Sequence, residues 1–240
     1  MTLVGIIGGG IAGLTAALSL AERGYEVTLI HTGGIKTTNS YLAQAGIAFP
    51  VLEGDSITAH VVDTIRAGKY INDKETVWNV ISKASEAYDF LLSLGVKFET
   101  NETEGGHSFP RVFTIKNETG KHLTKILYLH AKEKGVNFIR GEAEELAVKH
   151  GKAYGIFVNG GEFLKFDATI IASGGFTGGL FKYTAGSPTN LGTLIGDAVM
   201  KGAFARDLEF IQFHPTGFIG KGGELSLSAR QCGGERVPGS

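Results

Sequence analysis

The chain has little cysteine, little excess charge and no long apolar run. Its single cysteine, Cys232, excludes an internal disulfide and fits a cytoplasmic protein. Lys and Arg number 23 against 24 Asp and Glu, so no basic excess argues for nucleic acid and no charge run for an anionic membrane. The opening apolar stretch, Met1 to Ile7, breaks at Gly8-Gly9-Gly10, too early for a signal peptide or a membrane span. No internal repeat is visible, and no metal is expected.

Glycine is abundant, 36 of 240 residues, without a collagen-like period. The glycines fall singly or in pairs at the ends of apolar segments, which suits tight turns and close backbone approach to a ligand.

Leu3-Val4-Gly5-Ile6-Ile7 reads as a buried strand and Gly13 to Arg23 as a helix with Leu14, Ala17, Leu18 and Ala21 on one face. Gly24 stops it, and Val27 to Ile30 is a second strand. Asp55-Ser56 can cap a helix carrying Ile57, Val61 and Ile65, and Asp73 a longer one reaching Leu91 and closed by Gly95. Thr119 opens another, closed by Gly135, and Val136 to Arg140 is a strand. From Ala143 to Ala172 the pattern changes to short strands, with hairpin turns at His150-Gly151-Lys152 and Asn159-Gly160-Gly161. The fold class is α/β: a Rossmann-like domain with a βαβ N-terminus and a small inserted antiparallel sheet. Residues 1–218 form one domain in this reading, and 219–240 are the start of a capping domain or an out-of-frame tail.

Gly8-Gly9-Gly10-Ile11-Ala12-Gly13 fits G-x-G-x-x-G between a strand and a helix. Gly8 permits the tight turn, Gly10 lets a diphosphate approach the backbone, and Gly13 lets the helix pack closely on the strand. The helix N-terminus offers N–H donors and a partial positive charge. A dinucleotide-binding strand usually ends in a carboxylate that holds the ribose; here His31 and Thr32 stand there. His31 can hydrogen-bond a hydroxyl, or it is a surface residue. Either way it weakens an NAD-dehydrogenase reading.

Beyond the turn, Thr38-Asn39-Ser40-Tyr41-Leu42-Ala43-Gln44-Ala45-Gly46-Ile47-Ala48 resembles a segment of a flavoprotein superfamily. That superfamily contains the flavoprotein subunits of succinate dehydrogenase and fumarate reductase, and the L-aspartate oxidases. Ala168 to Gly175 resembles its strand ending in Ala-Thr-Gly-Gly, and Leu208 to Gly217 its Glu-Phe-x-Gln-Phe-His-Pro-Thr string. Glu104-Gly105-Gly106-His107-Ser108, followed by Arg111, resembles an active-site loop of the aspartate oxidases. The family's Thr-Gly-Asp-Gly is not matched; Gly192 to Asp197 stands there with its role open.

The resemblance implies FAD as cofactor. Respiratory members bond FAD covalently through a histidine; Asn39 at the matching position implies non-covalent FAD and favours the aspartate oxidase branch. Gly8, Gly10, Ala12, Gly13, Asn39, Ser40, Gln44, Gly46, Ser173 and Gly174 would serve FAD. Glu104 would meet the substrate ammonium, which needs an anion that a plain dicarboxylate would reject. His214 would be the second catalytic residue, meeting a carboxylate, with His107 and Thr216 binding substrate. Read alone, Glu104 is better taken as a solvated loop residue and His214 as a packing residue. The implied reaction is oxidation of L-aspartate to iminoaspartate in NAD biosynthesis, with oxygen or fumarate as acceptor and quinolinate synthase as a transient partner. A soluble fumarate reductase, a non-catalytic FAD-binding fragment and an NAD-dependent enzyme are the alternatives.

Ser228 to Ser240 lacks apolar periodicity. Codons for Ala-Arg-Gln-Cys-Gly-Gly can, one frame away, encode Glu-Ala-Val-Arg-Gly, the family's string with its acid–base arginine. The expectation is a frameshift near Leu227 to Ala229 with an out-of-frame tail, weak FAD binding and little turnover; the alternative is an ordinary disordered terminus.

Overall fold

The computed structural model describes residues 1–181 and 183–212, and the backbone of 218–219 and 225–226. The chain divides into two units: Met1–Asn39 with Val136–Ser240, and Ser40–Gly135.

In the first unit the opening apolar run is β1 (Leu3–Ile7). Helix α1 (Ile11–Glu22) starts two residues before the glycine that the sequence suggested, and buries Leu14, Ala17 and Leu18. β2 (Glu26–His31) follows, then a 3-10 turn (Ile35–Thr37) and the four-residue α2 (Asn39–Leu42), inside which the boundary between the units falls.

The second unit holds β3 (Ile47–Ala48), α3 (Ile57–Ala67), α4 (Lys74–Ile81), α5 (Ala84–Ser93), β4 (Thr100–Glu102), β5 (Val112–Thr114) and α6 (Thr119–Glu133). Both expected caps are in place: Ser56 Oγ accepts from Ala59 N at 3.0 Å, and Asp73 accepts from Thr76 N at 2.8 Å. The single long helix expected after Asp73 is instead two. Ser82 Oγ donates to the Asn79 carbonyl and Lys83 N–H turns back to the Val80 carbonyl, so the ladder tightens and restarts at Lys83. The three strands form an antiparallel sheet in the order β3-β5-β4. Phe49, Tyr88, Phe98 and Phe113 stack into an aromatic core beside it, with ring centroids 5.2–6.0 Å apart.

The first unit resumes with β6 (Asn137–Arg140), β7 (Ala143–Lys149), β8 (Lys152–Val158), β9 (Glu162–Lys165) and β10 (Ala168–Ile171). The main sheet is wholly parallel, in the order β10-β1-β2-β6. β7, β8 and β9 make the expected antiparallel meander. His150 and Gly151, both at positive φ, make the two-residue loop between β7 and β8, and Asn159, Gly160 and Gly161, all at positive φ, make the three-residue loop between β8 and β9. Ile7, Ile30, Leu146, Ile156, Val158, Phe166, Leu194 and Ala198 close one core between the meander and the parallel sheet.

After β10 come α7 (Thr177–Leu180) and α8 (Thr193–Met200). Asp197 docks α8 on β7: its carboxylate accepts from Leu146 N at 2.7 Å and pairs with Lys201 at 2.9 Å. A two-stranded antiparallel ladder, β11 (Phe218–Ile219) with β12 (Leu225–Ser226), is the last element described. The expected 218/219 boundary falls in β11, and the expected frameshift at 227–229 lies outside the described residues. Among the described residues no helix is long and apolar enough to cross a membrane.

Candidate cofactor and substrate site

The glycine-rich turn is built by close approach. Gly8 sits at φ +120°, and a Cβ there would lie 2.1 Å from the Ala172 carbonyl oxygen. Its N–H bonds to the Ile30 carbonyl at 2.9 Å, so the turn is pinned where β1, β2 and β10 end. A Cβ on Gly13 would lie 1.9 Å from Gly8 O. No side chain therefore fits at either position. Gly10 is the N-cap of α1 with no side-chain cap, and Ala12 is exposed in the first turn. A twelve-residue helix that starts uncapped on a side-chain-free turn suits the diphosphate of FAD.

His31 ends β2 beside this turn; a Cβ on Gly9 would meet its Cβ at 3.3 Å. His31 Nδ1 accepts from Gly34 N at 3.0 Å, which leaves the proton of the neutral ring on Nε2 as a donor. Burial and the nearby Arg140 charge hold its pKa below the ordinary histidine value. Asn39 is exposed, and its Oδ1 accepts from Ser187 N, tying the start of α2 to the loop after α7. Ser173 and Gly174 follow β10, and Gly174 takes φ +79° with Asn190 beside it. Gly8, Gly10, Ala12, Gly13, Asn39, Ser173 and Gly174 thus belong to the first unit.

The other predicted positions lie in the second unit. Gly120 N bonds to Ala43 O at 3.0 Å, and a Cβ there would lie 1.9 Å from Ser40 O, so the start of α6 supports the 40–44 turn. Gln44 is exposed and Ser40 half-buried. Gly46 lies so close to β5 that a Cβ would come within 2.5 Å of Phe113 O. Glu104 is exposed in a turn whose Gly105 and Gly106 both have positive φ, and His107 is half-buried. His214 and Thr216 lie outside the described residues.

Sequence reasoning missed the ion cluster beneath this loop. Arg111, with no exposed surface, forks onto Asp55: Nε to Oδ2 at 2.8 Å and Nη2 to Oδ1 at 2.6 Å. Its Nη1 donates to Asp63 Oδ2 at 2.7 Å and lies 3.2 Å from His107 Nδ1. Asp63 Oδ2 also accepts from Ser108 N and Oγ, at 2.8 and 2.7 Å, which anchors the loop. Burial pushes the Asp63 carboxyl up, but the Ser108 and Arg111 hydrogen bonds and the Arg111 charge outweigh it and hold it at about 2. Burial pushes the Asp55 carboxyl up too, but the Arg111 and Ser56 N–H hydrogen bonds and the Arg111 charge outweigh it and hold it below the ordinary value. His60 packs edge-on to His107 at 5.0 Å; burial and the Arg111 charge bring it to about 4, and its Nδ1 has no partner among the described residues. One signal did exist in the sequence. His60 and Asp63, three apart on α3, put two polar groups on its buried face.

The profile of the FAD binding domain family matches residues 4–238. The chain is 62% identical over 237 residues to an L-aspartate oxidase from Pyrococcus abyssi, covering 98% of this chain and 50% of that protein. It is 62% identical over 239 residues to another from Pyrococcus horikoshii, with the same coverage. The chain spans about half the length of these curated relatives. Among solved structures it resembles the Mycobacterium smegmatis Sdh1 complex in the apo form, with a TM-score of 0.81 and 26% identity, over 91% of this chain and 42% of that one. The glycine turn, the uncapped helix over it and the family match along nearly the whole chain together show that this protein belongs to the FAD binding domain family, with FAD as its cofactor.

Proposed function

We propose that the chain forms the FAD-binding part of an L-aspartate oxidase, which converts L-aspartate to iminoaspartate with oxygen or fumarate as acceptor. The 62% identity to L-aspartate oxidases over 98% of the chain carries this reading. Because the chain spans half of those relatives, the activity is proposed for the whole protein. Bound FAD supplies the acceptor for the substrate's electron pair.

The chain's own residues hold and orient. Backbone N–H groups at the start of α1 bind the diphosphate, and His31 Nε2–H donates to a ribose hydroxyl. Asn39, Ser173 and Gly174 of the first unit and Ser40, Gln44 and Gly46 of the second would serve the flavin, as the resemblance implies. Glu104 receives the substrate ammonium, and His107, His214 and Thr216 its carboxylates. Asn39 stands where respiratory members of the resembled superfamily carry the histidine that bonds FAD, which supports a non-covalently held cofactor. The single cysteine supports a cytoplasmic setting. An iminoaspartate product is unstable in water, which supports a transient partner that consumes it, as the resemblance to aspartate oxidases suggests for quinolinate synthase.

The test is titration of the purified chain with FAD, followed by anaerobic addition of L-aspartate, D-aspartate or succinate. Saturable FAD uptake with an absorbance change specific to L-aspartate supports the reading. A chain that stays colourless in excess FAD refutes it. Equal responses to succinate and L-aspartate favour a fumarate reductase instead.

A further inference from the structure

The cluster beneath the 104–108 loop carries an inference that deepens the reading above and rests on it for what His107 meets. Arg111 has only donors and keeps its proton. Its Nη1 lies 3.2 Å from His107 Nδ1, so that nitrogen must be the acceptor. The ring proton is therefore on Nε2. A ring flip would put a carbon against the guanidinium, and the His60 ring, 5.0 Å away, stands against it. The guanidinium cannot drift either, because its other donors are held by Asp55 and Asp63.

We propose that Arg111 is a positioning residue that fixes His107 as the neutral Nε2–H tautomer, a hydrogen-bond donor for a carboxylate of an amino-dicarboxylate substrate. A neutral donor adds no cation to the loop that also carries Glu104. The Glu104 carboxylate is then left for the substrate ammonium, with no imidazolium three residues away to compete for it. The loop thus presents an acceptor and a neutral donor side by side, a pattern that fits an α-amino acid better than a plain diacid. Asp63 takes part in both halves of the arrangement, since the same Oδ2 binds Arg111 and both donors of Ser108.

The groups facing His107 are Arg111, Asp55, Asp63 and His60. Burial and Arg111 oppose protonation of His107, whereas Asp63 and Asp55 favour it. Removing Arg111 therefore leaves two carboxylates beside the ring and reverses its preference.

The experiment is long-range proton–nitrogen NMR of the whole chain labelled with ¹⁵N-histidine, read through a pH titration. In the wild type, His107 shows a protonated Nε2 and a bare Nδ1 at neutral pH, and titrates below ordinary histidine. In Arg111→Gln its proton affinity rises by roughly tenfold or more, the equivalent of one pKa unit. An Nδ1–H tautomer or an imidazolium in the wild type at neutral pH overturns the proposal. So does an unchanged titration in the variant. If Arg111→Gln does not fold, the wild-type tautomer and titration decide alone. Adding L-aspartate to the FAD-loaded chain separates the two readings: an unmoved Nε2 signal refutes the substrate role of His107 and leaves the Arg111 assignment standing.

Discussion

Replacing Arg111 by methionine should be among the most damaging single changes in the second unit. The guanidinium serves two carboxylates whose side chains are 0% and 4% exposed. Methionine fills much of the same volume, so the loss is electrostatic rather than a cavity. Removing one partner of a buried pair costs about 3–5 kcal/mol, because the remaining charge stays buried without compensation. Two carboxylates are stranded here, so the upper end of that range is expected. Against a typical stability of about 5–15 kcal/mol, this leaves the chain marginal at neutral pH. The assay is urea denaturation followed by circular dichroism, with Arg111→Met compared with Arg111→Met/Asp55→Asn/Asp63→Asn. The triple variant carries no stranded charge and should recover most of the loss. The pH dependence supplies a sign. In the wild type Asp63 is depressed to about 2, so its stabilising contribution is complete above the ordinary carboxylate range and lost as pH falls toward about 2. In Arg111→Met burial dominates, the carboxyl pKa values rise, and acidification from neutral pH should restore stability. A loss of less than about 1 kcal/mol, the level of a surface ion pair, would refute the reasoning. So would identical pH slopes in the two proteins.

Three further outcomes follow from the same geometry. Gly13→Ala should abolish FAD uptake in a flavin absorbance titration, since its Cβ would stand 1.9 Å from Gly8 O and push α1 off β1; wild-type uptake would show that the helix has room to move. His60 titrates at about 4, so the stability it contributes as a neutral ring is complete above the ordinary histidine value and lost as pH falls toward about 4. His60→Phe should flatten that part of the stability profile, and an unchanged profile would show that His60 is not its source. Asp197→Ala should cost about 1–3 kcal/mol in denaturant unfolding, because Leu146 N loses its acceptor and Lys201 a partner; a neutral result would mean that solvent replaces the carboxylate.

Much of the first unit is legible because its signals are local. Glycines end β1 and α1, and short runs of positive-φ residues, two in the first and three in the second, make the hairpins. What periodicity does not reveal is pairing across distance. Nothing in Ala168 to Ile171 says that it lies beside β1 rather than following the meander, yet Val4 pairs with Ala168. The stretch after Asp73 reads as one helix because its apolar residues continue past Ser82, while the break depends on one hydroxyl and one N–H choosing nearer carbonyls. Asp55 reads as half of a helix cap; Ser56 alone caps α3, and Asp55 turns to an arginine 56 positions on. Such a partnership depends on tertiary placement. His214 and Thr216, the most specific motif positions, lie outside the described residues and rest on resemblance alone.

The parallel sheet also sets a timetable for the newborn chain. β1 receives its neighbour β2 almost at once, but its other edge waits for a strand 164 positions later. At about 5–20 residues per second on the ribosome, that edge stays open for roughly ten to thirty seconds. Ser40–Gly135, one compact unit from a single stretch of chain, emerges whole during the interval. The segment that falls in sequence between β2 and β6 should therefore mature first, while the parallel sheet of the first unit is still half made and in need of shelter from other chains.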